Sequence, residues 1–161
     1  MVAVCFQSRI EVHPIGFVQR LHRNEDVNDR DLVSKIVVGK EYAEGLGGVE
    51  AWSHLYVIFW MHGISDEKKT LICPPSEPDV PSVGIFATRA PIRPNPIGLT
   101  LVELVKRDGN VLLVKGLDAL DGTPVLDIKP YPYWVKGHWV VVTDYRAPDY
   151  LSKSTRYRVL V

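Results

Sequence analysis

The sequence has few cysteines, no long apolar run and no excess of charge of either sign. Its two cysteines, Cys5 and Cys73, have no C-x-x-C or histidine-spaced partners, which fits reduced intracellular thiols better than a disulfide or zinc framework. The longest apolar run, residues 55–61, is far shorter than the roughly 20 residues of a membrane span. The N-terminus lacks the basic start and apolar stretch of a signal peptide. These absences predict a cytoplasmic protein without a membrane segment and without a metal.

The charge is balanced, with 19 lysines and arginines against 19 aspartates and glutamates. A balanced charge disfavours binding to nucleic acid through the overall field, so any such role needs a local patch. Two stretches free of acids qualify, residues 84–100 and residues 150–161. Their basic residues are Arg89, Arg93, Lys153, Arg156 and Arg158. Solvated surface charge is the alternative interpretation of either stretch.

Short β-branched and aromatic segments separated by turn residues run along the chain. These segments are residues 11–19, 35–38, 54–61, 83–87, 98–106, 111–115 and 139–143. Asp108-Gly109 is the best hairpin signal, because glycine tolerates the positive φ of a tight connection. Helical periodicity is weak, with one short candidate at residues 40–44, and the G-x-G-x-x-G, P-loop and G-x-S-x-G motifs are absent. The pattern predicts a mainly β protein, a single small β-barrel with few short helices, and disfavours a Rossmann fold.

Residues 84–100 form the first candidate functional stretch. Pro91, Pro94 and Pro96 fix φ and remove backbone donors, which predicts a stiff extended loop. The polar residues that this loop presents are Arg89, Arg93 and Asn95. Two guanidiniums and an amide could hold a phosphate, a carboxylate or a base edge. The alternative is a proline-stiffened connection whose arginines pair with acids.

Two further candidates lie on predicted strands. Asp127 stands between two apolar residues, where a carboxylate faces outward or is held by a cation such as Lys129. It is therefore either a functional acid or half of a structural ion pair. His62 falls at the end of a strand beside Gly63, where a side chain can line a pocket, whereas His54 fits a satisfied core histidine.

At these stretches the sequence resembles the TsaA-like or TrmO family, S-adenosylmethionine-dependent methyltransferases that act on threonylcarbamoyladenosine in tRNA. The matching blocks are residues 16–18, 48–55, 84–89, 93–98 and 121–131. The resemblance implies a β-barrel methyltransferase, neither Rossmann nor knotted. It also implies a homodimer with the cofactor near the subunit interface. We expect a barrel domain at residues 1–146 and a short basic tail at residues 147–161.

The family's pattern also implies site residues. The implied S-adenosylmethionine contacts are His62, Gly63, Arg89, Leu99, Leu117 and Asp118. The departure from the pattern is at residues 21–31, which lack the Pro-Arg-Gln segment that touches the cofactor in many bacterial members. Whether residues 21–31 replace the cofactor contact of that segment is therefore an open question.

The chemistry suggests roles on the acceptor side. Methyl transfer from a sulfonium is an in-line displacement, so the protein must mainly align the acceptor and exclude water. Hydrogen-bond acceptors near the adenine N–H help to localise its lone pair, and we assign this catalytic role to Asn95 and Asp127. For the anticodon loop of tRNA, stacking and phosphate contacts are assigned to Tyr131, Tyr133, Trp134, Arg93, Lys129 and the basic tail. A dimer interface or a core edge is the alternative for the aromatic cluster.

Two other functions compete with tRNA methylation. One is a methyltransferase of this fold that acts on another RNA or on a small metabolite. The other is a non-catalytic module that binds S-adenosylmethionine.

Overall fold

The computed structural model describes residues 10–21, 31–64, 71–72, 83–131, 133–135, 138–142 and 157–160. The strands in these ranges are β1 Gly16–Arg20, β2 Val33–Val38, β3 His54–Trp60, β4 Leu71–Ile72, β5 Val83–Gly84, β6 Ile97–Asp108, β7 Val111–Lys115, β8 Pro124–Pro130, β9 Tyr133–Val135, β10 His138–Val142 and β11 Tyr157–Leu160. Three short 3₁₀ helices are η1 Lys40–Leu46, η2 Val49–Ala51 and η3 Ile85–Ala87. None of the described helices has the length and apolar character needed to cross a membrane.

Six strands close into a barrel in the order β1-β2-β7-β6-β3-β8. Every neighbouring pair in this barrel is antiparallel. The prediction of a single small, mainly β barrel with few short helices is confirmed. In the described ranges two smaller sheets accompany it, β4 with β5 and β9 with β10 and β11. β11 pairs in parallel with β10 and lies within residues 147–161, where the sequence analysis predicted a tail and no strand.

The barrel interior is filled by alternate residues of each strand. In β3, Leu55, Val57 and Phe59 are buried, while the residues between them are only half-buried. They pack in one core with Ile36 and Val114 from strands on the opposite side of the barrel. Each fully buried aliphatic or aromatic side chain contributes about 1.5–3 kcal/mol to stability relative to an exposed one, so this core is a main source of the barrel's stability.

Glycines mark two places where the barrel needs them. Gly109 has φ +59° in the turn between the paired residues Asp108 and Val111, and this turn confirms the predicted hairpin between β6 and β7. At Gly98 a Cβ would stand 2.3 Å from the Phe59 ring, so only glycine leaves room for that ring.

Two predicted strands differ from the observed ones. The predicted strand 11–19 begins only at Gly16. The predicted strand 83–87 is wrong from Ile85 onward, where the chain turns into η3. This turn forms because the Thr88 amide and hydroxyl both donate to the Ile85 carbonyl, at 3.1 and 2.9 Å. A local side-chain bond thus outweighs the β propensity of the segment.

Antiparallel closure brings alternate strand ends to the same rim of the barrel. One rim, the cavity rim, is formed by the ends of β1, β3 and β7 and the starts of β2, β6 and β8. It carries residues 61–64, the loop 85–96 and the β7–β8 connection, residues 116–123. The opposite rim, the hairpin rim, carries η1, η2, the Gly109 turn and Tyr131.

Candidate cofactor-binding site

A cavity of about 250 Å³, the rim cavity, opens at the cavity rim. Its apolar wall consists of Phe59, Met61, Ile97, Gly98 and Leu99. Its polar wall consists of Arg89, Arg93, Thr100 and Asp118. Apolar walls with a few convergent polar groups are typical of small-molecule sites.

The structure brings together three of the predicted cofactor contacts in this cavity, Arg89, Leu99 and Asp118. Arg93, which the sequence analysis assigned to RNA, lines the same cavity. Arg89 and Arg93 come from the loop 85–96, Leu99 from β6 and Asp118 from the β7–β8 connection. The antiparallel pairing of β6 with β7 brings Asp118, which follows β7, next to the start of β6.

His62 and Gly63 lie beside this cavity, against the β7–β8 connection. His62 Nδ1 is 3.3 Å from the hydroxyl of Thr123, which is a buried residue. A Cβ at Gly63 would stand 3.0 Å from Cδ1 of Leu120. Both residues therefore contact the connection that carries Asp118.

Leu117 occupies a different environment. Its side chain is 2% exposed and belongs to the hydrophobic core. Any contact between Leu117 and a ligand at the cavity rim would therefore have to use its backbone.

Asp118 is held by a residue that the sequence analysis missed. Its exposed carboxylate accepts a hydrogen bond from the Thr100 hydroxyl, and Thr100 is 3% exposed on the inward side of β6. The sequence does contain a signal, because Thr100 is the one residue with a hydroxyl among the inward positions 98, 100, 102 and 104. Such a polar residue inside a barrel needs a partner.

Arg20 also supports the β7–β8 connection and was missed. Its side chain is 9% exposed and donates from Nη1 to the Ala119 carbonyl at 3.2 Å. Its backbone N–H donates to the Asp121 carboxylate at 2.8 Å. These bonds tie the end of β1 to the segment that carries Asp118.

The loop before β6 holds Arg89 at the cavity. Thr88 caps the loop locally, since its hydroxyl donates to the Ile85 carbonyl and accepts from the Ala90 N–H at 3.2 Å. The Met61 N–H donates to the Pro96 carbonyl at 2.8 Å and so joins the loop to β3. Arg89 is exposed and has no ion-pair partner among the described residues, so acids in that part of the chain do not neutralise it.

The two residues assigned to catalysis are not brought together within one chain. Asn95 is exposed in the loop before β6, where its carbonyl accepts from the Ile97 N–H at 2.8 Å. Asp127 lies on β8, on the far side of β3 from β6. Two strand spacings, about 10 Å, therefore separate Asp127 from β6.

Asp127 has the partners of a structural ion pair. Its carboxylate is 2.5 Å from Lys129 Nζ and accepts from the Ile128 N–H at 2.9 Å. Its side chain is 44% exposed, so solvent weakens the pair. These contacts agree with the ion-pair interpretation and leave the carboxylate accessible from outside the barrel, so the catalytic role of Asp127 stays a prediction.

Tyr131 lies at the hairpin rim, away from the rim cavity. Its N–H donates to the His54 carbonyl at 3.2 Å, and its ring meets Tyr56 edge to face with centroids 5.2 Å apart. The seven residues of β8 span roughly 20 Å between the two rims. Within one chain, Tyr131 and Lys129 therefore do not share a site with Arg89.

Some predictions lie outside the described residues. They concern Cys5, Cys73, residues 22–30, Lys153 and Arg156. For Tyr133, Trp134 and Arg158 the description covers the strand but not the side chain.

His54 lies at the hairpin rim, and its pKa is shifted. Burial lowers its pKa, and the charge of Glu103, its cross-strand partner on β6, opposes that shift. Its Nδ1 is 3.1 Å from the Ser53 hydroxyl. His54 is thus a partnered, half-buried residue of the barrel wall, remote from the rim cavity.

The family model of the tRNA-methyltransferase O N-terminal domain matches residues 23–135. The chain belongs to this family. The match includes all the residues that line the rim cavity. It also includes the whole β7–β8 connection.

The family's relatives include archaeal, mammalian and bacterial proteins. An S-adenosyl-L-methionine-binding protein of Archaeoglobus fulgidus is 43% identical over 123 residues, 73% of this chain and 86% of that protein. A tRNA (adenine(37)-N6)-methyltransferase of Rattus norvegicus is 36% identical over 115 residues, 71% of this chain and 24% of that protein. The crystal structure of TrmO from Pseudomonas aeruginosa matches with a TM-score of 0.60 and 32% identity, over 77% of this chain and 56% of that one. This chain therefore spans about a quarter of the rat relative and a little over half of the TrmO chain.

Proposed function

We propose that this chain methylates N6 of threonylcarbamoyladenosine, next to the anticodon of tRNA, with S-adenosylmethionine as the donor. The coarser part, a methyltransferase that binds S-adenosylmethionine, follows from the family to which the chain belongs. The tRNA substrate is supported by the mammalian relative named tRNA (adenine(37)-N6)-methyltransferase. The observation that carries the proposal is the rim cavity, where Arg89, Asp118 and an apolar wall converge.

The residues of the rim cavity fit S-adenosylmethionine. The Arg89 guanidinium, without an ion-pair partner among the described residues, suits a carboxylate. The Asp118 carboxylate, oriented by Thr100, suits an ammonium group or ribose hydroxyls. Ile97 and Leu99 provide apolar surface for an adenine ring or a thioether chain. When bound, the cofactor supplies an activated methyl group for an in-line displacement.

The acceptor base must be held so that its amino nitrogen faces the rim cavity. We assign that task to Asn95, because it is exposed on the loop that also carries Arg89. Its amide oxygen would accept a hydrogen bond from the adenine N–H and so localise the nitrogen lone pair. The prolines on either side, Pro94 and Pro96, limit how far the amide can move.

Asp127, Lys129 and Tyr131 would reach such a base from a second copy of the chain. A homodimer is supported by the apolar outer surface of the barrel wall, where half-buried residues of β3 pair with apolar residues of β6. The pairs are Tyr56 with Leu101, Ile58 with Leu99, and Trp60 with Ile97. Leu99 and Ile97 also line the rim cavity, so a partner seated on this wall would lie next to it. The wall residues Asp127 and Lys129 flank the same surface across β3.

Electrostatics would favour an RNA substrate at this rim. Arg89 and Arg93 stand in a loop without an acidic residue, and pairing two neutral subunits would double such patches around one RNA. The base next to the anticodon lies in a single-stranded loop, where it can be turned out of the stack.

The experiment incubates the purified protein with S-adenosylmethionine and threonylcarbamoylated tRNA and measures the nucleosides by mass spectrometry. A gain of one methyl group on threonylcarbamoyladenosine is expected. Cofactor binding without an RNA product would refute the tRNA reaction and favour a metabolite substrate or a binding module.

Variants test the acceptor roles. Asn95→Ala and Asp127→Ala should lose turnover and still bind the cofactor, whereas Lys106→Met, an exposed change near the hairpin rim, should keep both activities. Turnover at the wild-type rate in both alanine variants would contradict the assignment of Asn95 and Asp127.

A further inference from the structure

One side chain holds together the loop that presents Arg89. Arg93 Nε donates to the Ala90 carbonyl at 3.1 Å, and its Nη2 donates to the Thr88 carbonyl at 2.7 Å and to the Ile85 carbonyl at 3.2 Å. These three carbonyls stand on both sides of Arg89 in the chain. A planar guanidinium that bridges them fixes the course of residues 85–90.

The bridge joins a fixed point to an otherwise weakly attached segment. Ile85 is 1% exposed, so its carbonyl is anchored, whereas Phe86, Ala87 and Arg89 are exposed. Among the described residues, the bonds that shape residues 88–90 apart from those of Arg93 are the local bonds of Thr88. Pro91 and Pro94 lack a backbone N–H and cannot supply a replacement donor.

This use of Arg93 differs from the RNA contact predicted for it. Three of its five N–H groups are used by main-chain carbonyls, and only the two on Nη1 are left for a ligand. An arginine that binds a phosphate would keep most of its N–H donors for that phosphate.

We propose that Arg93 is a positioning residue, whose guanidinium holds the backbone of residues 85–90 so that Arg89 stays at the rim cavity. The proposal rests on the proposed cofactor site, because Arg89 is the group through which Arg93 acts. A lysine at this position would keep the positive charge but offers one nitrogen instead of a planar fork. It would therefore satisfy a phosphate contact and fail to bridge three carbonyls.

The test compares Arg93→Lys, Arg89→Met and the double variant, with Lys106→Met as the matched basic control. Titration calorimetry with S-adenosylmethionine measures the cofactor Kd. We expect Arg93→Lys and Arg89→Met each to weaken binding about tenfold, as loss of one charge-assisted hydrogen bond does. The cofactor Kd of the double variant should be at most about twofold higher than that of Arg89→Met alone, since Arg93 acts through Arg89. Wild-type affinity in Arg93→Lys, or losses that multiply in the double variant, would overturn the proposal.

Hydrogen exchange separates this proposal from the identity of the cofactor. The amides of Thr88 and Ala90 should exchange faster in Arg93→Lys and stay protected in Arg89→Met, because only the first variant loosens the loop. Unchanged exchange in Arg93→Lys would overturn the proposal whatever ligand is bound. If the wild-type chain did not bind S-adenosylmethionine, the proposed function would fail, while exchange would still decide whether Arg93 holds the loop.

Discussion

Replacing Gly98 by alanine should destabilise the barrel through one steric contact. A Cβ at this position would stand 2.3 Å from both Cε2 and Cζ of Phe59, far inside van der Waals contact. Phe59 is 4% exposed and packed in the core, so moving its ring away from the added methyl group would disturb that packing. The φ of Gly98 is not positive, so the penalty arises from this contact and not from backbone strain.

The expected cost of Gly98→Ala is that of overpacking a core, about 1–3 kcal/mol. For a chain of this length that corresponds to a Tm lower by about 2–12 °C. Urea unfolding followed by tryptophan fluorescence measures the change, because Trp52 belongs to the same core. Gly45→Ala is the control. Gly45 is exposed in η1 with nothing within 4 Å of an added Cβ, and we expect its stability to stay within about 1 kcal/mol of the wild type.

A double-mutant cycle with Phe59→Leu tests the contact itself. Leucine lacks the two ring atoms that the new methyl group would meet, so Gly98→Ala should cost less in that background, by about 1 kcal/mol or more. Equal costs in both backgrounds, or a Gly98→Ala protein as stable as the wild type, would refute the reasoning.

Two further predictions concern the site and the barrel wall. Thr100→Val removes the hydroxyl that orients Asp118 and should weaken cofactor binding in calorimetry while changing the free energy of unfolding by only about 1 kcal/mol, since the exposed carboxylate can be hydrated instead. Unchanged cofactor affinity in both Thr100→Val and Asp118→Asn would speak against Asp118 as a contact. Because the pKa of His54 is lowered in the folded chain, its imidazole binds protons more readily in the unfolded chain, so its contribution to stability should be complete above the ordinary histidine pKa of about 6.5 and be lost as the pH drops below it. His54→Gln should flatten that dependence in urea titrations from pH 8 to pH 5, and an identical slope in wild type and variant would contradict it.

The sequence predicted well where the signal is local. Segments rich in β-branched and aromatic residues identified β3, β6 and β7, and Asp108-Gly109 identified the hairpin between β6 and β7, because each signal depends on neighbours in the chain. The local signal failed at residues 85–87, where the Thr88 hydroxyl turns the chain. It also gave no strand at Tyr157–Leu160, since that strand depends on pairing with β10.

The sequence by itself determined the barrel class, the family and the two segments that carry Arg89 and Asp118. Apolar periodicity, turn residues and motif blocks are properties of the chain and need no partner. Only the tertiary structure decided that Thr100 orients Asp118, that Arg93 bonds to its own loop, and that Asp127, Lys129 and Tyr131 lie away from the rim cavity. The physical reason is that the closing of the barrel sets which strand ends share a rim, and hydrogen bonds between distant residues then decide where each polar side chain points.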